Sequence, residues 1–322
     1  MKSFAFAALF AAANALSSVE YEYMNYCAEF GKVSNDVEEF NFRMENFAVV
    51  DAFIQEHNSS NASYTAGHNQ FSDWSHAEYK AMLGYVRGEA DVRKPVLLDE
   101  SANADTVNWV TAGAVNPVKD QGQCGSCWAF SSTCALEGAH FVASGELLSF
   151  AEQQLVDCAG LKYGNMGCNG GLQTNAYKYY AAGHDAILES DYKYTAKDGS
   201  CQYDSKPHTD VLESSLSDVT VNNVAQMKAA VTQSVLAVAI EADKMCFQTY
   251  KSGIFDNAKC GTNLDHAVAV VGYGSDAGQE YWIMRNSWNT TWGDKGYMKM
   301  AITGDDAGIC GVQSDPQLPT SN

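Results

Sequence analysis

The run Gln121-Gly-Gln-Cys-Gly-Ser-Cys127-Trp-Ala-Phe130 constrains this chain more than any other stretch. Gly122, Cys124 and Gly125 lead into a strongly helical pattern that opens at Cys127. Unpaired N–H groups and the dipole at a helix start favour a thiolate there. Far downstream lie Leu264-Asp-His266-Ala-Val and Arg285-Asn286-Ser-Trp288. A fold that gathers Cys127, His266 and Asn286 assembles what thiol acyl transfer needs. A thiolate attacks a carbonyl, an imidazole moves protons, and an amide holds the imidazole in its working tautomer. His266 follows Cys127 by 139 residues, so only tertiary structure can make the pair.

A chain of 322 residues with 46% hydrophobic content is long and apolar enough for one large or two medium domains. Its net charge of −19 is spread along the chain. That sign argues against nucleic acid as a partner and against docking on anionic lipid. Residues 1–15 read as a secretory signal, with Lys2, an apolar run from Phe4 to Ala13, and the small-x-small site Ala13-Asn14-Ala15. A buried core helix is the competing reading, disfavoured by the short length, the N-terminal place and the lack of a polar face. No later run reaches the roughly 18 apolar residues of a membrane span. Asn58-Ser-Ser60, Asn61-Ala-Ser63 and Asn289-Thr-Thr291 are glycosylation sequons, each a triplet common by chance. Together these features place the protein in the secretory pathway, bound for a lysosome-like compartment or the outside of the cell.

Val37 to His57 contains no Gly or Pro, and Glu39, Arg43, Phe47, Val50, Ile54 and Asn58 fall on one helical face. Glu39 and Arg43 can pair at i, i+4. Val86 to Asp105, with Arg93, Lys94 and Pro95, has no periodicity and reads as an exposed linker and cleavage zone. Helical patterns follow at Ser126–Ser144, Ser149–Ala159 and Leu172–Ala182. Strand patterns dominate later, at Val235–Ile240, His266–Val271, Glu280–Met284 and Gly296–Met300. The expectation is an α+β fold. A mainly helical lobe over about 103–212 faces a mainly β lobe over about 213–322, with the site in the cleft between them.

Several of these motifs carry a family resemblance. Cys124-Gly-Ser-Cys127-Trp, Asp265-His266-Ala-Val, and Asn286-Ser-Trp288 followed by Trp292-Gly293 resemble the papain family of cysteine proteases. The helical face matches the E-R-F-N-I-N motif of cathepsin L-like propeptides at five of six positions, with Val50 in place of Asn. Gly67-His-Asn69-Gln-Phe71-Ser-Asp73 matches their second motif, G-x-N-x-F-x-D. The likeness runs from about Glu39 to about Asp315. It implies a papain-like two-lobe peptidase domain over 103–322. An inhibitory propeptide over 16–102 would run backwards through the cleft. It implies an endopeptidase made as a self-inhibited zymogen, with no metal and no cofactor. Its partners would be polypeptide substrates, its own propeptide and protein inhibitors of cysteine proteases; a monomer is expected.

Carried over residue by residue, the resemblance makes Cys127 the nucleophile and His266 the base that becomes the acid. Asn286 orients the imidazole, and Trp288 shields that bond from water. Gln121, with the backbone N–H of Cys127, forms the oxyanion hole. Gly170 and Gly171 meet the substrate backbone, Gly170 being the expected strand-like partner. Asp265 lies beside the base. Leu172, Gln173, Ala239, Leu264, Ala267 and Asp315 form the second pocket. Of ten cysteines, spacing leaves the pairing open. The resemblance implies Cys124–Cys168, Cys158–Cys201 and Cys260–Cys310, with Cys127 free beside Cys27, Cys134 and Cys246.

The chain also departs from the family. Asn108 replaces Asp before Trp109, and Asn289 replaces the Gly usual after Trp288. Asp315 stands where cathepsin L has a small apolar residue; it is expected to admit Arg as well as Leu or Phe, or else simply to face solvent. Residues 1–102 carry −8 and the remainder −11, so apolar contacts of Phe47, Ile54, Phe71 and Trp74 are expected to dominate inhibition. Two rival readings remain. One makes Cys124 and Cys127 a redox pair. The other is a catalytically dead binding protein, which nothing in the sequence favours.

Overall fold

The computed structural model of the chain describes residues 17–86 and 95–322. The signal read at 1–15, and Arg93 and Lys94, lie outside the described residues. The prosegment opens with α1 (Ser18–Phe30), which starts on a capping box. Ser17 Oγ accepts from Glu20 N, and the Glu20 carboxylate accepts from Ser17 N. Helix α2 (Val37–Asn58) starts on Asp36 and buries Phe47, Val50 and Ile54. Phe47 packs against Tyr23 and Tyr26 of α1. It therefore builds the prosegment's own core rather than gripping the rest of the chain. Ile54 does reach outward, packing with Ala66 and Met245.

Arg43 keeps its expected partner and gains a closer one. It lies 3.9 Å from Glu39 but forks onto Glu78, with two N–H···O contacts of 2.7 Å. A guanidinium binds best to a carboxylate that meets it with two parallel bonds, as Glu78 does. Glu78 belongs to α3 (His76–Ala81), so the pair braces α2 against α3. Asn58 bonds both ways to the backbone of Ala66 in β1 (Tyr64–Ala66).

Beyond the prosegment come β2 (Val107–Asn108), α4 (Cys127–Ser144), α5 (Glu152–Cys158) and α6 (Gln173–Ala181). Next are β3 (Glu213–Asp218), α7 (Val224–Gln233), β4 (Leu236–Ile240), α8 (Met245–Gln248) and β5 (Tyr250–Phe255). The chain closes with β6 (His266–Asp276), β7 (Gln279–Arg285), β8 (Tyr297–Ala301) and β9 (Gln317–Ser321). The sheet runs β1-β5-β8-β7-β6-β4-β9-β3, with β2 paired to β6. Prosegment strand β1 thus adds to the edge of the sheet, Tyr64 facing Gly253.

The first nine residues of β6 are buried, and its alternation divides two cores. Val268 and Val270 join Trp282, Met284 and Trp292. Ala269 and Val271 point the other way, into Trp128, Leu136, Phe150 and Tyr180 of the helical layer. Disulfides join Cys124 to Cys168, Cys158 to Cys201 and Cys260 to Cys310, the pairs the resemblance implied. Cys27, Cys127, Cys134 and Cys246 are free. The linker is not bare where it is described. Gln226 on α7 exchanges hydrogen bonds with both backbone groups of Leu98, and Asn103 Nδ2 donates to Ala225 O. Among the described residues, no helix is long and apolar enough to cross a membrane.

Glu213 on β3 is buried, and burial raises its carboxyl from 4.5 to about 7. The folded state therefore holds this proton more tightly than the unfolded chain. Its contribution is complete below pH 4.5 and is lost as pH rises through about 7. Glu213→Gln, placed in an inactive Cys127→Ser background, should unfold at higher urea than its parent at pH 8 and differ little at pH 4.5. The gap should be about 1–3 kcal/mol, and equal midpoints at pH 8 would refute it.

Candidate active site

Cys127 is the first residue of α4 and is fully buried. The turn before it is held by the Cys124–Cys168 disulfide and by Gly125, whose N–H donates to Cys168 O at 2.8 Å. A side chain at Gly125 would run into that same carbonyl. With Cys124 committed to Cys168, Cys127 has no disulfide partner in its own motif, and the redox-pair reading loses its geometry.

His266 begins β6, and its Nε2 lies 2.8 Å from Asn286 Oδ1. Asn286 follows β7 and is pinned by its own N–H to Gly296 O. The Trp288 ring stacks on the imidazole, centroids 4.6 Å apart and planes 26° from parallel. That ring covers one face of the imidazole in the His266–Asn286 pair. Its indole N–H donates to Gln121 Oε1 at 3.1 Å, and Ser287 Oγ donates to the same oxygen at 2.7 Å. Backbone bonds from Gln121 N to Ser287 O, and from the Tyr194 hydroxyl to Gln121 O, fix the residue at its base. The Gln121 amide is therefore oriented, with Nε2 presented as donor. Ser287 and Tyr194 were not singled out from sequence. Ser287 stood inside a quoted motif, whereas nothing marked Tyr194.

The prosegment occupies this site. Gln121 Nε2 donates to Met82 O at 2.9 Å as well as to Cys124 O. Gly84 lies against Gly125 so closely that a Cβ on it would overlap the Gly125 carbonyl. Gly171 N donates to Gly84 O at 2.8 Å, and Val86 N donates to Gly171 O at 3.2 Å. Gly171, not Gly170, is thus the pairing residue. Gly170 contributes clearance, since a side chain there would meet Val86 and Gly84 O. Tyr85 N donates to Asp265 O at 3.0 Å. Tyr85 packs with Cys127, Leu172, Ala239, Leu264 and Ala267, and its hydroxyl donates to Asp315 at 2.7 Å. Gln173 does not line this pocket. It is buried, donating to Val238 O and Ser131 Oγ, and ties α6 to β4.

On the other side, Phe71 and Tyr79 meet the Trp288 ring edge-on at 5.3 and 5.6 Å. Gln70 bridges Trp288 O and the Thr291 hydroxyl at 2.6 Å each. Asn69 Nδ2 donates to Gln248 O, and Gln248 Nε2 donates back to Phe71 O. Trp74 packs against Phe71, while Lys80 makes one ion pair, 3.4 Å from Asp243. Of the four apolar anchors expected, Phe71, Trp74 and Ile54 serve the interface, and Phe47 does not.

Burial under the prosegment sets the charges. It pushes the Cys127 thiol up to about 11, against N–H groups of Ala267, Gly84 and Trp128 that pull it down. It pushes the His266 imidazole down to about 4, against the opposing bond from Asn286. Both shifts disfavour the charged forms, so burial under the prosegment opposes a thiolate–imidazolium pair. Asp265 is raised to about 7 by burial, against the N–H of Ala242.

The sequons differ in setting. Asn61 and Asn289 are exposed, and Asn289 adopts φ 59, which Asn tolerates better than most residues. Asn58 has its side-chain amide bonded to Ala66.

A thiol, an imidazole and an oriented amide, set between a helical layer and a sheet and covered by their own prosegment, define a cysteine-protease zymogen. Residues 103–320 match the papain family cysteine protease family, and residues 23–79 match the cathepsin propeptide inhibitor domain. Digestive cysteine proteinase 1 of Homarus americanus is 37% identical, over 97% of this chain and 98% of its own. The digestive procathepsin L 3 structure from Tenebrio molitor larval midgut is similar at a TM-score of 0.85 and 33% identity. It covers 95% of this chain and 100% of that one. A recombinant stem bromelain precursor gives 0.84 and 33%, over 94% and 99%. The chain belongs to the papain family of cysteine proteases, as a cathepsin L-like proenzyme carrying its propeptide inhibitor domain.

Two outcomes test this geometry. Iodoacetamide should label Cys127 in the proenzyme at pH 6 at least about a hundredfold more slowly than after prosegment removal, because the buried thiol stays protonated. Gly84→Ala should speed labelling of the uncleaved proenzyme, since the methyl group cannot fit against Gly125. Equal rates in either comparison would refute the account.

Proposed function

We propose that Cys127, His266, Asn286 and Gln121 carry out peptide-bond hydrolysis by thiol acyl transfer. The observation that carries this is the Gln121 amide. Ser287 and Trp288 hold its oxygen, and its N–H already serves a peptide carbonyl, that of Met82, beside Cys127. Once the prosegment leaves, water reaches the pair, the thiol loses its proton to His266, and the ion pair gains stability at the start of α4. The thiolate attacks the scissile carbonyl. Gln121 Nε2 and the Cys127 N–H hold the oxyanion, and His266 returns a proton to the leaving amine. Water then hydrolyses the thioester. Asn286 keeps the imidazole turned, and Trp288 keeps that bond dry.

The substrate is a polypeptide cut internally, its backbone paired with Gly171 as Gly84 and Val86 are in the zymogen. Residues 1–15 direct the chain into the secretory pathway, to a lysosome-like compartment or outside the cell. Processing near residue 103 releases the peptidase domain. All three sequon asparagines are exposed, Asn61 and Asn289 are the ones whose amide nitrogen is not bonded to Ala66 as that of Asn58 is, and protein inhibitors of cysteine proteases would compete for the same cleft.

Acid activation followed by mass spectrometry tests the whole reading. A product beginning near residue 103 should carry one epoxysuccinyl adduct on the Cys127 peptide and lose cleavage of a Phe-Arg substrate. Cys127→Ser should abolish turnover, and Gln121→Ala should lower kcat by about 10²–10³ with smaller change in KM. Retained turnover in Cys127→Ser, or an adduct elsewhere, would defeat it.

A further inference from the structure

One hydroxyl joins the loop of Gln121 to the residue just before Cys127. Tyr194 Oη donates to Gln121 O at 2.8 Å and lies 2.6 Å from Ser126 Oγ. A carbonyl can only accept, so the phenol proton goes to Gln121 and Ser126 Oγ donates to Tyr194 in turn. Each bond in such a chain strengthens the next. Ser126 is the N-cap of α4 and is fully buried. A serine at that place ordinarily turns its oxygen onto the N–H groups of its own helix. Ser17 and Ser75 do so at the starts of α1 and α3, with ψ of 158° and 155°. Ser126 makes no such bond, and its ψ is 14°. That angle sets the plane of the next peptide, which carries the Cys127 N–H. Tyr194 is itself held. Its N–H donates to Glu189 Oε1 at 3.0 Å, and its ring meets Phe130 edge-on, centroids 4.8 Å apart.

We propose that Tyr194 is a positioning residue that aligns both oxyanion donors, the Gln121 amide through its own carbonyl and the Cys127 N–H through Ser126. The inference rests on the peptidase reading above. Ser287 Oγ and Trp288 fix the far end of the Gln121 side chain, whereas Tyr194 fixes its backbone. Without the phenol, Gln121 O loses its donor and the Ser126 hydroxyl loses its acceptor. Ser126 is then free to turn toward the extended conformation that caps α4, and the Cys127 peptide turns with it. Fixed donors stabilise an oxyanion only when they are aimed at the place it will occupy. The loss therefore falls on the transition state and not on the bound substrate. Tyr194 acts through Gln121 and Ser126 and touches no reacting atom, so its part is alignment.

The experiment uses acid-activated enzyme from the full chain and Tyr194→Phe, which keeps the ring on Phe130 and removes only the hydroxyl. On a Phe-Arg amide, kcat should fall about tenfold with KM within about twofold. Affinity for a blocked dipeptide aldehyde should fall by about the same factor, because the Cys127 sulfur adds to its carbonyl and leaves the oxygen between the same two donors. Labelling of Cys127 by 2,2′-dipyridyl disulfide, which exchanges with the thiolate and has no carbonyl, should stay within about twofold of wild type. Ser126→Ala should show the same pattern and serves if Tyr194→Phe does not fold. The double variant should lose less than the product of the two single losses, since both break one chain of bonds. Unchanged kcat and aldehyde affinity, an equal fall in disulfide labelling, or fully multiplicative losses would overturn the proposal. A wild-type enzyme that cleaves no peptide amide would instead overturn the peptidase reading, and this inference with it.

Discussion

The indole of Trp288 holds the site together. One face lies on His266, and its N–H grips Gln121, so a single rigid ring ties the start of β6 to the loop before α4. Its edges are the landing place of Phe71 and Tyr79. Catalytic geometry and zymogen inhibition thus use the same surface. The prosegment covers Trp288 with Phe71 and Tyr79 and Cys127 with Tyr85. Aromatic edge-to-face contacts supply the grip with little need for charge. That suits two segments which are both acidic.

Desolvation under the prosegment acts in the same direction as steric blockage. A thiol and an imidazole form an ion pair only where water or fixed dipoles stabilise both charges. Under the prosegment burial pushes the thiol up to about 11 and the imidazole down to about 4, and both shifts oppose transfer of the proton. The remaining pieces, Gln121 Nε2 and Gly171, are occupied by the backbone of Met82, Gly84 and Val86. The groups a substrate backbone would meet are thus already taken by the prosegment.

Much of this was legible because the chemistry sits in short local motifs. Helix α4 announced itself by its apolar period, and β6 by its β-branched run. Tyr194 and Tyr85 were not legible, since nothing beside either residue tells where the chain will return. Arg43 shows the limit in another form. Helical spacing offered Glu39, which does pair at 3.9 Å, and gave no sign of Glu78, the closer partner 35 residues on. Gln173 and Phe47 were misplaced for the same reason. Periodicity says which face of a helix is buried and not what it is buried against. The capping box at Ser17 and Glu20 was readable and would have located α1.

The sequence by itself determined the residue types of the site, their order, and the helix and strand that carry Cys127 and His266. It did so because nucleophile, base and oxyanion donor are set by covalent identity and local propensity. Tertiary structure alone decided which prosegment atoms meet them. Tyr85 in the Asp315 pocket, Met82 on Gln121 and Phe71 on Trp288 join positions more than thirty residues apart. Such contacts are fixed by the summed packing of a whole sheet and its covering helices, which no short window of sequence contains.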